Sequence, residues 1–200
     1  MIFGWDISTS IVGVTALTDE GRFVTSKHVD LRKVDGVFDK ANVVQEFVYS
    51  FLSDYNGEKR KHFVEERLSN FAMGRSMLQT LMTLASFNLL VSWFLWEMGK
   101  DVTYIHPSTV KSIMRKDGLI VPKGGDKKKL TLDFVSKREP GFVVDLNRND
   151  KPQPWCYDKA DSYITARAGF LRAYLSNDAT GEKATGDQAG PGTRAARQRG

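Results

Sequence analysis

Four carboxylates recur along this chain in a pattern that chemistry could use. Asp6 stands in an otherwise apolar opening run, MIFGWDI, and Glu65, with Glu66 beside it, closes the short run KHFVEER. Asp158 and Asp161 stand three residues apart in DKADSYITA. An acid in a strand that reads as buried is costly unless a hydrogen bond or a cation compensates it. Strand alternation sends Glu65 and Glu66 to opposite faces, and Glu65 is read as the inward one. The i, i+3 spacing puts Asp158 and Asp161 on one face of a helix. Acids in a first helical turn are also favoured by the helix dipole, so that pair by itself reads as capping. With acids on two strands beside it, it reads as a site. Hard oxygen donors without His or Cys suit Mg²⁺, with Mn²⁺ as a substitute. Two such ions roughly 3.5–4 Å apart can clamp the attacking and leaving oxygens of an in-line phosphodiester displacement.

The charge distribution points the same way. The formal net charge is +5. From Lys111 to Lys129 the chain carries Lys111, Arg115, Lys116, Lys123, Lys127, Lys128 and Lys129 against Asp117 and Asp126, an excess equal to that of the whole protein. A charge run is usually a solvated face. Concentrated beside a glycine loop, it suggests a phosphate-rich partner.

Several elements must position these groups. Residues 1–29 read as a three-stranded antiparallel meander, with Gly13 marking a bulge or a close approach of backbone. Asp39 is placed to cap a helix from Lys40 to about Tyr55, and a strand follows at Lys61–Arg67. A long helix is predicted over about Met73–Met98, then a strand Asp101–Ile105 and a short helix from Pro107 to Arg115. Gly118–Gly125 reads as a mobile loop, and Asp126 as the cap of a basic helix to about Arg138. Residues 139–157 are rich in proline and read as irregular. The last helix is expected from about Tyr157 to Leu175, and 176–200 as a disordered basic tail. This order predicts one α/β domain, residues 1–175, built on a mixed sheet.

Composition excludes several classes. With 41% hydrophobic and 26% charged residues, the chain has an ordinary globular balance. The single Cys156 excludes an internal disulfide framework and any Cys-based zinc site, and it fits a reducing, cytoplasmic setting. No signal-peptide pattern develops before Asp6. Leu78–Trp96 is apolar enough to resemble a membrane span, but its interspersed polar residues favour a buried central helix and no membrane. His28, His62 and His106 read as structural, and Trp155 as packing the proline-rich segment.

Taken together, WDIST with the following Gly13, FVEE before a long helix, and DKADSYITA resemble the RuvC family of Holliday-junction resolvases, in the ribonuclease H-like superfamily. The resemblance covers residues 1–173 and implies a mixed five-stranded sheet flanked by helices. It implies a metal-dependent endonuclease that cuts four-way or other branched DNA as a homodimer making paired nicks. Asp6, Glu65, Asp158 and Asp161 match the family's acids and would hold two Mg²⁺ ions. Lys129 matches the lysine near the scissile phosphate, with Lys128 close in register, and Lys111 matches a lysine of the short helix. The helix over 73–98 would form the dimer. Family members often carry an aromatic soon after the catalytic Glu; here that spot is Leu68, and Phe71 is the nearest candidate. The segment 140–155 is longer than the family usually has.

Other classes remain to be separated. An actin-like or sugar-kinase ATPase shares the opening strand and turn but needs a second similar domain and a second phosphate loop. A catalytically dead junction-binding scaffold would have no use for four mutually repelling acids. A nuclease for flaps or structured RNA would keep the same chemistry on another substrate.

Overall fold

The computed structural model describes residues 1–56, 59–66, 75–99 and 101–179, without the side chains of 75–77 and 174–179. Three strands open the chain: β1 (Ile2–Ile7), β2 (Ile11–Leu17) and β3 (Phe23–Asp30). Helix α1 (Val37–Ser53), strand β4 (Lys61–Glu65), helix α2 (Arg75–Gly99) and strand β5 (Val102–Ile105) follow. Helices α3 (Pro107–Lys116), α4 (Lys127–Arg138) and α5 (Pro154–Ala179) complete the order. Among the described residues the sheet runs β3-β2-β1-β4-β5. The first three strands pair antiparallel, while β4 joins β1, and β5 joins β4, in parallel. This is the mixed five-stranded sheet expected from the sequence.

Alternation along β1 divides the molecule into two cores. Phe3, Trp5 and Ile7 face α1 and α2, packing with Val44, Val48, Phe51, Leu52, Phe87, Val91 and Leu95. Ile2 belongs to the opposite core, made with Val110, Met114, Leu132, Val135, Tyr163 and Ile164 of α3, α4 and α5. Asp6 and Gly4 share that second face with Ile2, because side chains two apart point the same way.

Helix α5 lies directly on this face, and glycine is what lets it. A Cβ on Gly4 would fall 2.2 Å from the Ala166 amide nitrogen, and one on Gly13 would fall 2.5 Å from the Asp158 carbonyl oxygen. Gly13 is the close-approach glycine anticipated from the sequence. It pairs with Asp6 across β1 and β2, so the same contact carries Asp158 to the strand that holds Asp6. A buried polar seam completes the seating: Thr15 and Ser162 exchange a 2.8 Å hydrogen bond, and Ser162 donates to the Lys159 carbonyl at 2.7 Å.

Some boundaries differ from expectation. Gly36, at φ 76°, caps α1, and Asp39 lies within its first turn. Helix α5 begins at Pro154 rather than Tyr157, since proline at the first helical position loses no hydrogen bond. It runs on to Ala179, so residues 176–179 of the anticipated tail are helical, and 180–200 lie outside the described residues. Leu78–Gly99 is long and apolar enough to cross a membrane, with a mean hydropathy of 1.4. Its Phe87, Val91 and Leu95 are nevertheless fully buried in the core against the sheet.

Candidate active site

The four acids come from three elements and line one open cleft of about 570 Å³. Asp6 sits near the end of β1 and Glu65 at the end of the parallel β4, on the sheet face that α5 covers. Asp158 and Asp161 come from α5. Because α5 starts at Pro154, neither acid is in its first turn, which removes the capping account of the pair. Ser8 and Ser10 of the β1–β2 turn, Ile11, Arg32, Lys127, Lys128, Pro152, Pro154 and Tyr157 complete the wall. The turn is held by Ser8 Oγ, which accepts from the Ile11 amide at 3.0 Å and donates to the Ile11 carbonyl at 2.8 Å.

Asp161 is partly buried. Burial pushes its carboxyl up to about 6; Lys127 and Lys128 pull it back down, and the negative charges of Glu65 and Asp158 add to the rise. Its Oδ1 is buried without a hydrogen-bond partner among the described residues. An orphaned buried carboxylate oxygen facing other carboxylates wants a cation. The donor set is all hard oxygen, which suits Mg²⁺ and argues against zinc or copper. Among the described residues no three acidic, histidine or cysteine side chains already converge closely enough to hold one ion. Lys128 lies 3.9 Å from Asp158 and pairs with it there.

The basic residues divide between two places. Lys127 and Lys128 reach the acidic cleft, whereas Lys129 is exposed and does not line it. The reason is the cap: Asp126 accepts from the Lys129 backbone amide at 3.1 Å, which fixes the first turn of α4 with Lys127 and Lys128 toward α5. The family resemblance pointed to Lys129, with Lys128 close in register; Lys127 and Lys128 are the two of this run that line the cleft. Lys111 and Arg115 line a second hollow of about 230 Å³ with Met114, Leu119, Val121 and Ile164, and Lys127 borders both. Lys116 and Lys123 are exposed nearby, and Phe71 and Leu68 lie outside the described residues. Asp117 braces this region, accepting from Arg138 Nη2 at 3.3 Å and from Arg167 Nε at 3.1 Å.

Sequence reasoning missed the contribution of the proline-rich segment. Asp145 accepts from Trp155 Nε1 at 2.8 Å and from the nearly buried Lys159 ammonium at 3.2 Å. Those bonds hold its carboxyl below the usual carboxylate range. Trp155 stacks on His28 of β3 with ring centroids 4.9 Å apart, so it packs, as its context suggested. The segment is therefore docked, and it delivers Pro152 and Pro154 to the cleft wall. His106 caps α3 by accepting from the Ser108 amide. His62 is buried beneath the sheet, with burial pushing it down to about 3.

An α/β layer with strand order β3-β2-β1-β4-β5 and α5 laid across its centre is the ribonuclease H-like class of fold. Within that class the chain resembles RuvC of Thermus thermophilus. It aligns with one RuvC structure at a TM-score of 0.54 and 16% identity, covering 88% of this chain and 97% of that one. It aligns with RuvC in complex with a Holliday junction substrate at a TM-score of 0.52 and 12% identity, covering 87% and 96%. At such identities the likeness establishes a shared fold. No family model matches the sequence. No curated protein matches it either.

Proposed function

We propose that this protein is a metal-dependent endonuclease acting on branched DNA, four-way junctions foremost, and that it makes paired nicks as a homodimer. The observation that carries this reading is the cleft itself: four carboxylates from β1, β4 and α5 beside the lysines of α4. The RuvC likeness supports the junction as substrate, since one matched structure is described as a complex with a Holliday junction.

Asp6, Glu65, Asp158 and Asp161 would hold two Mg²⁺ ions. When bound, the ions neutralise the acids, activate water and stabilise charge on the phosphate under attack. The chain's own residues do the rest. Lys127 and Lys128 bring positive charge to the cleft, and Lys111, Arg115, Lys116 and Lys123 extend it toward the DNA backbone. Lys129, next to them in the first turn of α4 and exposed, is the lysine that the family resemblance places near the scissile phosphate.

Dimerisation is assigned to α2. Leu78, Met82, Leu89, Trp93 and Trp96 are all exposed on it, from 41% for Leu78 to 66% for Leu89. Spacings of four, seven, four and three align them along one stripe, on the side away from buried Phe87, Val91 and Leu95. A stripe of this kind suits self-association about a two-fold axis.

The test is cleavage of a synthetic four-way junction in Mg²⁺ beside a duplex, a flap and an RNA hairpin, with Asp6→Asn as control. Paired symmetric nicks on the junction, lost in Asp6→Asn, are expected. Equal cutting of every substrate would remove junction specificity. Tight junction binding with no cutting in Mg²⁺ or Mn²⁺ would leave only the scaffold.

A further inference from the structure

An anionic backbone that enters a cleft lined by four carboxylates needs cations on the walls. Two come from α4, Lys127 and Lys128; among the described residues the other cation lining the cleft is Arg32, from the turn after β3. Nothing in the sequence distinguishes Arg32 among 29 lysines and arginines.

Its conformation is pinned by a single neighbour. Asp30 Oδ1 accepts from the Arg32 backbone amide at 3.0 Å and from Nε at 2.9 Å, while Oδ2 accepts from Nη2 at 2.5 Å. One carboxylate thus fixes both the backbone turn and the near edge of the guanidinium. The guanidinium carbon Cζ lies 6.0 Å from the Trp155 ring centroid, the outer limit of a cation–π contact, and Trp155 is itself stacked on His28. Nη1 makes no hydrogen bond with the described residues, and the group is close enough to Asp158 to feel its charge. The side chain is 45% exposed, open to a ligand in the cleft.

We propose that Arg32 is a phosphate-binding residue of this cleft, gripping a non-bridging oxygen of the DNA backbone through Nη1 while Asp30 holds its other edge. The proposal rests on the nuclease reading and adds to it a fixed cation on a wall that the basic segment does not reach. Arginine suits the task because its planar fork serves two acceptors at once, the carboxylate along one edge and the phosphate at the other. Asp30 is the positioning residue. It keeps the guanidinium from collapsing onto Asp158, where it would compete with divalent ions for the same oxygens.

The experiment uses the full chain, a four-way DNA junction and two readouts. Binding is measured in EDTA across a salt series, and cleavage in Mg²⁺ under saturating junction. Arg32→Ala is expected to lower the slope of log affinity against log salt by about one phosphate contact. It is expected to reduce kcat roughly 100-fold with an unchanged melting temperature. Arg32→Lys should restore the salt slope but only part of kcat, since charge returns without the fork. Asp30→Asn should keep the slope and raise the Mg²⁺ concentration needed for half-maximal rate. If Arg32→Ala melts early, Arg32→Gln replaces it as the near-isosteric variant. An unchanged slope and unchanged kcat in a folded variant overturn the proposal while the nuclease reading stands. A wild-type protein that never cuts, yet loses one contact in Arg32→Ala, overturns the nuclease and supports the phosphate grip. Wild-type protein that does not bind the junction overturns both.

Discussion

The two faces of the sheet each bury an ionisable group, and the same physical cause moves the two in opposite directions. On the α1–α2 face His62 is fully enclosed: it accepts a hydrogen bond from Trp5 Nε1 at 3.2 Å and stacks on Phe3 with centroids 5.2 Å apart. Burial disfavours its charged form and pushes it down to about 3. On the α5 face Asp161 is pushed up to about 6, again chiefly by burial. Each group also leaves one buried atom without a partner among the described residues, His62 Nε2 and Asp161 Oδ1. The difference lies in the surroundings. His62 is walled in by aromatic rings, whereas Asp161 opens on a cleft shared with three other acids and two lysines. A perturbed titratable group marks a site only when a ligand can reach it and other groups converge on it.

The glycine contacts on the α5 face give the largest expected effect. Gly4→Val places a branched side chain where the α5 backbone already lies, and no flexible neighbour can yield. A loss of about 4 kcal/mol or more is expected, and with it the folded state, as read by circular dichroism and urea titration. A folded Gly4→Val protein would mean that α5 does not seat on β1.

The His62 side predicts acid sensitivity. The unfolded chain takes up a proton near pH 6.5 that the folded chain refuses until about pH 3. Stability from this group is therefore complete above pH 6.5 and is lost as pH falls toward 3, by on the order of 4–5 kcal/mol. Urea midpoints between pH 7 and 4 check it against His62→Gln, which should fall less steeply. Equal slopes for the two proteins would remove His62 from the account.

Asp161→Asn separates stability from chemistry on the other face. In EDTA at pH 8 the wild-type protein keeps a charged carboxylate buried among other acids. The amide relieves that cost, so a gain on the order of 1–2 kcal/mol is expected together with loss of cutting. A destabilised Asp161→Asn protein would mean that the carboxylate is satisfied without a cation. Least costly to the fold is Trp93→Glu on the exposed stripe of α2. The monomer should change by less than about 0.5 kcal/mol, while sedimentation shifts from dimer to monomer. Unchanged sedimentation would leave α2 unassigned.

Much of this arrangement is written in local patterns. Alternation in MIFGWDI and KHFVE put Asp6 and Glu65 on the α5 face, and the three-residue spacing put Asp158 and Asp161 on one side of a helix. Gly13 was legible as either a bulge or a close approach, and the packing of α5 decided for the close approach. The lysine register was harder to read. Lys127, Lys128 and Lys129 are consecutive and chemically identical, and which of them reaches the cleft depends on how Asp126 starts α4 and how α4 packs on α5.

By itself, then, the sequence determined the order of elements and which acids share a face, because strand alternation and helical spacing act along neighbouring residues; element order implied the mixed sheet, and the family resemblance implied its five strands and the matched set of four acids. The tertiary structure decided what those acids meet. It seated α5 on two glycines, brought Pro152 and Pro154 to the cleft through Asp145, Trp155 and Lys159, and held Arg32 at the cleft wall by way of Asp30. Several of these contacts join residues far apart in the chain, and long side chains such as arginine and lysine have many rotamers until packing selects one. Periodicity sets the direction in which a side chain leaves the backbone; what it reaches is fixed only when the distant segments have packed.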